Sequence, residues 1–158
     1  LIDCGCLRKE EQKEVSDFIA QNGLTLKRYL CTHLHLDHIF GNEFVHNTYG
    51  LSPEAHKADV EGLPSPEEFG KSELAVLSVP GHSPGGVAFY NKKNGFVIVG
   101  DSLFAGSIGR TDLWGGNQDI LLAAIKDKLL SLPDETVVYP GHGPETRIID
   151  EKLNNPYL

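Results

Sequence analysis

The chain has 158 residues, enough for one domain with its own core, and a formal net charge of −8. That acidity excludes the clustered Lys and Arg on which nucleic-acid backbone binding rests. With 40% hydrophobic and 23% charged residues, and no apolar run of the roughly 18 residues that cross a bilayer, the composition is that of an ordinary globular protein and not of a membrane span.

Leu1 to Asp3 reads as the end of a strand already under way. Glu10 to Asn22 follows helical spacing, with Val15, Phe18 and Ile19 on one face and Gly23 as its stop. Leu26 to Thr32 is predicted as a strand leading into the dense His33–His38 segment, and His38 to Asn47 as a short helix. Pro53 to Gly70, rich in Pro, Glu and Gly, reads as loop. Leu74 to Val79 is a strand that stops at Pro80. Gly86–Tyr90 and Gly95–Val99 are strands joined by a turn at Asn91–Asn94, and the run Phe96–Val99 is apolar throughout, as in a strand covered on both faces. Asp119 to Leu132 carries the clearest helical periodicity. Thr136 to Tyr139 reads as another buried strand. Strands alternating with helices indicate an α/β sandwich.

The chain begins at Leu1 and contains no Met, so residues are expected to be omitted from it, the native protein being larger than 17.3 kDa. Its three cysteines, Cys4, Cys6 and Cys31, are odd in number and form no disulfide framework, which fits a reducing cytoplasm. Cys4 and Cys6 lack the second pair that a structural zinc site needs.

The chemistry gathers in four segments. Thr32-His33-Leu34-His35-Leu36-Asp37-His38 places three imidazoles and a carboxylate within six positions. In extended chain His33 and His35 share a side, and a turn after Leu36 swings Asp37 and His38 to a neighbouring point. His82, Asp101 and His142 each follow a strand end and are each preceded by Gly, where the backbone turns sharply. Strand ends are where α/β proteins assemble sites. Nitrogen and oxygen ligands in this number exceed the needs of one tetrahedral zinc and suit two divalent ions sharing a carboxylate.

The pattern His-x-His-x-Asp-His, followed by Gly-His, Gly-Asp and Gly-His, resembles the metallo-β-lactamase superfamily. Its closer resemblance is to the single-domain glyoxalase II-like (hydroxyacylglutathione hydrolase-like) branch, carried by Gly81–Gly86, Gly100–Phe104, Ser107–Asp112, Tyr139–Pro144 and Glu151–Pro156. The resemblance implies a four-layer αββα sandwich over residues 1–158 as one metallo-hydrolase domain. It implies that His33, His35 and His82 hold one metal, that Asp37, His38 and His142 hold the other, and that Asp101 bridges. It implies two divalent ions, zinc first, with iron or manganese able to substitute. A hydroxide activated by the two metals then attacks a small-molecule thioester, with Asp37 or Asp101 orienting it. A mononuclear iron persulfide dioxygenase of the same fold is the alternative, and a metal-binding interaction domain is the non-enzyme reading.

Three departures from the family stand out: no strands precede Leu1, the stretch between Glu54 and Leu74 is short, and little chain follows His142. The last leaves no C-terminal helical domain to bind glutathione, so weak selectivity for the thiol part is expected. The oligomeric state carries no signature in the sequence. His46 and His56 read as satisfied or surface histidines. Arg110 and Asp112 read as a structural pair, with an approach role toward an anionic substrate as the alternative. Ser83 has no spare base and is no nucleophile. Cys31 reads as a packed thiol. Trp114 either lines the pocket mouth or simply packs.

Overall fold

The computed structural model describes residues 1–59 and 74–158. In chain order the elements are α1 (Lys9–Gln21), β1 (Tyr29–Leu30), α2 (Leu36–Ile39), α3 (Asn42–Tyr49), β2 (Pro53–Glu54), β3 (Ala75–Ser78), β4 (Val87–Asn91) and β5 (Phe96–Gly100). There follow β6 (Leu103–Phe104), β7 (Ser107–Ile108), α4 (Gln118–Ala124), a π-helical turn Ile125–Leu129, β8 (Val137–Pro140), β9 (Thr146–Arg147) and α5 (Ile148–Asn154). A five-stranded sheet runs in the order β3-β4-β5-β8-β9, antiparallel except for the β5–β8 pair. That parallel pair needs a crossover, which α4 and the π turn supply. A second, smaller sheet pairs β1 with β2 in parallel, and Ile2 bridges Leu30 beside it.

Side-chain alternation sorts the apolar residues into three cores. In β4, Val87 and Phe89 join Leu30, while Ala88 and Tyr90 join Val97, Val99 and Val138 on the opposite face. The first set, with Ile2, Val76 and Ile98, fills the space between the two sheets. The second packs against Leu121, Ile125, Leu129 and Ile148 from α4, the π turn and α5. The third core seats Val45 and Phe44 of α3 on Tyr29 and Cys31. Helix, sheet, sheet, helix is the four-layer αββα sandwich, as the sequence leads one to expect.

Several elements differ from the sequence reading. The strand expected over Leu26–Thr32 contracts to Tyr29–Leu30, because β2 offers only two paired positions. The helix expected over His38–Asn47 is two helices: Gly41 donates to the Cys4 carbonyl at 2.8 Å and breaks the run. The Asp119–Leu132 helix is real, but Leu130 N–H reaches the Ile125 carbonyl at 2.9 Å, five residues back, which is the π turn. The buried strand expected at Thr136–Tyr139 has one open face, where Tyr139 is 41% exposed and its ring meets Phe96. The loop expected over Pro53–Gly70 begins with β2, and its part from residue 60 onward lies outside the described residues, as does most of the short stretch between Glu54 and Leu74. The β6–β7 hairpin, β9 and α5 carry too little periodicity to be read in advance.

Candidate metal centre

The site forms where four chain segments leave their strands along one edge of the sandwich. The His33–His38 segment follows β1, and its extended part ends at His35, the residue that opens α2. The helical turn then carries Asp37 and His38 away from His33 and His35, as the turn expected after Leu36 requires. His82 follows β3, Asp101 follows β5 and His142 follows β8. Gly100 holds φ +52°, and a side chain there would strike Thr32. Gly141 is needed for space: a Cβ would lie 2.8 Å from His38 Cε1 and press on Asp101.

All the sequence-predicted ligand residues come together, in two groups. His33, His35 and His82 form one; Asp37, His38, Asp101 and His142 form the other; within each, the donor atoms lie within 4.8 Å of one another. In the first group His35 Nδ1 and His82 Nε2 stand 2.9 Å apart, aimed at one point. In the second, His142 Nε2 is 3.0 Å from Asp37 Oδ2. Asp101 lies between the groups: Oδ1 is 3.3 Å from His38 Nε2, and Oδ2 is 3.4 Å from His142 Nε2 and 3.7 Å from His82 Nε2.

The outer nitrogens of three rings are already used. His82 Nδ1 donates to the Arg110 carbonyl at 2.7 Å, so Nε2 faces the site. His38 Nδ1 meets Asp3 Oδ2 at 3.0 Å. Thr32 Oγ1 gives its hydrogen to the same Asp3 oxygen at 2.6 Å, which leaves its lone pairs for His33 Nδ1 at 3.0 Å. A single carboxylate thus orients one ring from each group, directly for His38 and through a hydroxyl for His33. Asp3 also accepts Thr32 N–H at 2.7 Å and sits at φ +46°, a conformation Asp tolerates better than most residues. Reasoning from sequence missed Asp3, which lacks the preceding Gly that marked Asp101 and whose partners Thr32 and His38 lie far along the chain.

Three buried polar atoms have no hydrogen-bond partner among the described residues: His33 Nε2, His38 Nε2 and Asp101 Oδ1. The 3.3 Å approach of the last two serves charge and not hydrogen-bond direction. Buried groups of this kind are ordinarily satisfied, and all three belong to residues of the two ligand groups. The donor set therefore fits a pair of borderline cations, each able to take imidazole and carboxylate together.

Without a cation the electrostatics are uneven. Burial, and then the neighbouring His38, pushes His33 down to about 2. His35 is lowered by burial and by His82. Burial opposes charge on His38 too, but the carboxylates of Asp101 and Asp3 outweigh it and hold the ring up at about 10. Asp101 is lowered, its burial overcome chiefly by His38. Ligand imidazoles must be neutral, so these carboxylates draw a proton that a bound cation replaces.

The groups open onto a cleft of about 640 Å³. His35, Asp37, His82, Asp101 and His142 line its floor; Leu36, Phe104, Ile108 and Leu113 form apolar walls; Arg110 stands among the lining residues. Arg110 and Asp112 do form the expected pair, through two contacts of 2.7 Å. Leu113 lines the cleft while Trp114 is 87% exposed and belongs to neither the walls nor a core. Ser83 Oγ donates to Asp59, consistent with its exclusion as a nucleophile. His46 is exposed, and His56 accepts from Ala58 N–H away from the site. Cys4 and Cys31 are buried, free thiols.

Two adjoining groups, three imidazoles in one and imidazoles with carboxylates in the other, at one edge of an αββα sandwich define a class of metal-dependent proteins. The model of the metallo-β-lactamase superfamily matches residues 1–77 and 65–142, and the chain belongs to that superfamily. It is 37% identical over 175 residues to a probable metallo-hydrolase, YqgX, of Bacillus subtilis, covering 94% of this chain and 83% of that protein. It is 32% identical over 176 residues to the hydroxyacylglutathione hydrolase GloC of Haemophilus influenzae, with the same coverage of 94% and 83%. Among solved structures, TTHA1623 in a di-iron-bound form superposes with a TM-score of 0.88 at 36% identity, over 99% of this chain and 88% of that one.

Proposed function

We propose that the chain is a dinuclear metal-dependent hydrolase that cleaves thioesters of the hydroxyacylglutathione type. The observation that carries the reading is Asp101, a carboxylate 11% exposed, set between two ligand groups at the floor of an open cleft. His33, His35 and His82 would hold one ion, Asp37, His38 and His142 the other, with Asp101 shared; zinc suits this set first, and iron or manganese can take it. Two bound divalent ions supply the Lewis acidity that brings a water to hydroxide near neutral pH and polarises a carbonyl.

The protein's own groups do the rest. Asp101 keeps the two ligand groups at a fixed separation. Asp37, 51% exposed and facing the cleft, is placed to accept a hydrogen bond from the attacking water and hold its proton. Leu36, Phe104, Ile108 and Leu113 exclude water from the acyl group and the adjoining methylenes. A thiol leaving group, with an ordinary pKa of about 8.5, departs as thiolate without a dedicated acid, and among the described residues the cleft floor holds no carboxylate beyond Asp37 and Asp101. The relative named for hydroxyacylglutathione hydrolysis supports the substrate class. Three free thiols suit a reducing compartment such as the cytoplasm. Among the described residues no helix is long and apolar enough to cross a membrane.

The test is hydrolysis of several thioesters that share one acyl group, run beside oxygen uptake with glutathione persulfide. Thioester cleavage without oxygen uptake is expected. Oxygen consumption without cleavage would replace this reading with the iron dioxygenase.

A further inference from the structure

Asp59 lies outside the ligand set and outside the cleft, yet its carboxylate is fully engaged. Oδ1 accepts Gly85 N–H at 2.6 Å; Oδ2 accepts Ser83 Oγ–H at 3.0 Å and Leu34 N–H at 3.3 Å. The partners come from two separate segments. Leu34 stands between His33 and His35, and Ser83 follows His82. Every member of the first ligand group is therefore next in sequence to a residue that Asp59 grips. Within the second group Asp101 and His142 lie on other segments, and Asp37 and His38 sit beyond Leu34 on the α2 turn. Gly85 shows how close the grip is, since a Cβ there would lie 2.7 Å from Asp59 Oδ1.

The mechanical need is plain. His35 and His82 reach the site from segments far apart in sequence, and their facing nitrogens stand 2.9 Å apart. The Arg110 carbonyl fixes the ring orientation of His82, but it does not fix the distance between the two backbones. The Asp59 carboxylate spans them, with a short charge-assisted contact of 2.6 Å to Gly85 N–H on the His82 side and a longer one of 3.3 Å to Leu34 N–H on the His35 side.

We propose that Asp59 is a positioning residue that sets the geometry, and so the affinity, of the His33–His35–His82 metal site selectively, leaving the Asp37–His38–Asp101–His142 site untouched. Outer partners of metal ligands typically change affinity by about 10- to 100-fold when removed. An Asn at this position keeps the size and loses one acceptor. Its amide nitrogen would face either Leu34 N–H or Gly85 N–H, donor against donor.

The experiment is zinc withdrawal by a chromophoric chelator from zinc-loaded protein, read as two affinities. His35→Ala and His142→Ala identify which affinity belongs to which group. Asp59→Asn is expected to weaken the first-group affinity about 10- to 100-fold and leave the other within about twofold. Ser83→Ala, which removes one arm and keeps both backbone contacts, is expected to weaken the same site by less, and it decides the matter should Asp59→Asn not fold. Equal weakening of both sites in the variant that folds, or no change in either, overturns the proposal. The proposal rests on the two-group reading of the centre but not on the substrate: zinc affinities stand whether or not thioesters are cleaved.

Discussion

Asp3 Oδ2 and His38 Nδ1 are 3.0 Å apart, and this contact turns His38 Nε2 toward Asp101. The same oxygen reaches His33 through Thr32 Oγ1, so one carboxylate beyond the ligands steadies both halves of the centre. Removing it frees two rings at once. Asp3→Ala is expected to weaken zinc binding at both sites, by about 10- to 100-fold at the His38 site. Chelator competition reads this directly, and it sets Asp3 apart from Asp59, whose effect falls on one site. An unchanged His38-site affinity would show that Asp3 only fastens Thr32.

Asp101→Asn is expected to reduce thioester hydrolysis at least about 1,000-fold while the far-ultraviolet circular dichroism stays native. An amide lacks the charge and one acceptor oxygen that a shared ligand needs. The metal-loaded thermal midpoint is expected to fall, because bound metal stabilises the native state by linkage. Near wild-type turnover in this variant would remove Asp101 from the shared position.

The chelator-treated protein is expected to be most stable near pH 6.5. The native protein holds the His38 proton more tightly than the unfolded chain does, so its contribution is full below the ordinary 6.5 and lost as pH rises through about 10. His33 works in the opposite sense: its native ring resists protonation, and its contribution, full above 6.5, is lost as pH falls toward about 2. Thermal midpoints across this range check the sign. His38→Asn should flatten the alkaline limb and weaken the acid one in part, since His38 helps burial to hold His33 down; an unchanged alkaline limb would place the loss in another group.

The candidate ligand residues that the fold brings together were legible in the sequence because each carries a local mark. His33 to His38 are adjacent, and Gly81-His82, Gly100-Asp101 and Gly141-His142 each end an apolar strand. The α4 helix was legible from its periodicity, an α/β sandwich from alternating strands and helices, and its four layers from the family resemblance. Asp3 and Asp59 were not. Their roles depend on contacts between residues 3 and 38, or 59 and 83, and nothing beside them in the chain announces those partners. The break between α2 and α3 escaped for the same reason: its cause is the Cys4 carbonyl, far back in the sequence. The π turn at Ile125–Leu129 keeps the apolar spacing of an α-helix, so the pattern hides it.

The claim on which the rest depends is a centre of two metals sharing Asp101. Elemental analysis of protein purified without chelator, scaled to protein concentration, measures it. Two ions per chain are expected, zinc foremost, falling below two in Asp101→Asn. A reproducible value of one ion or fewer, in protein with full hydrolytic activity, would contradict the two-metal account.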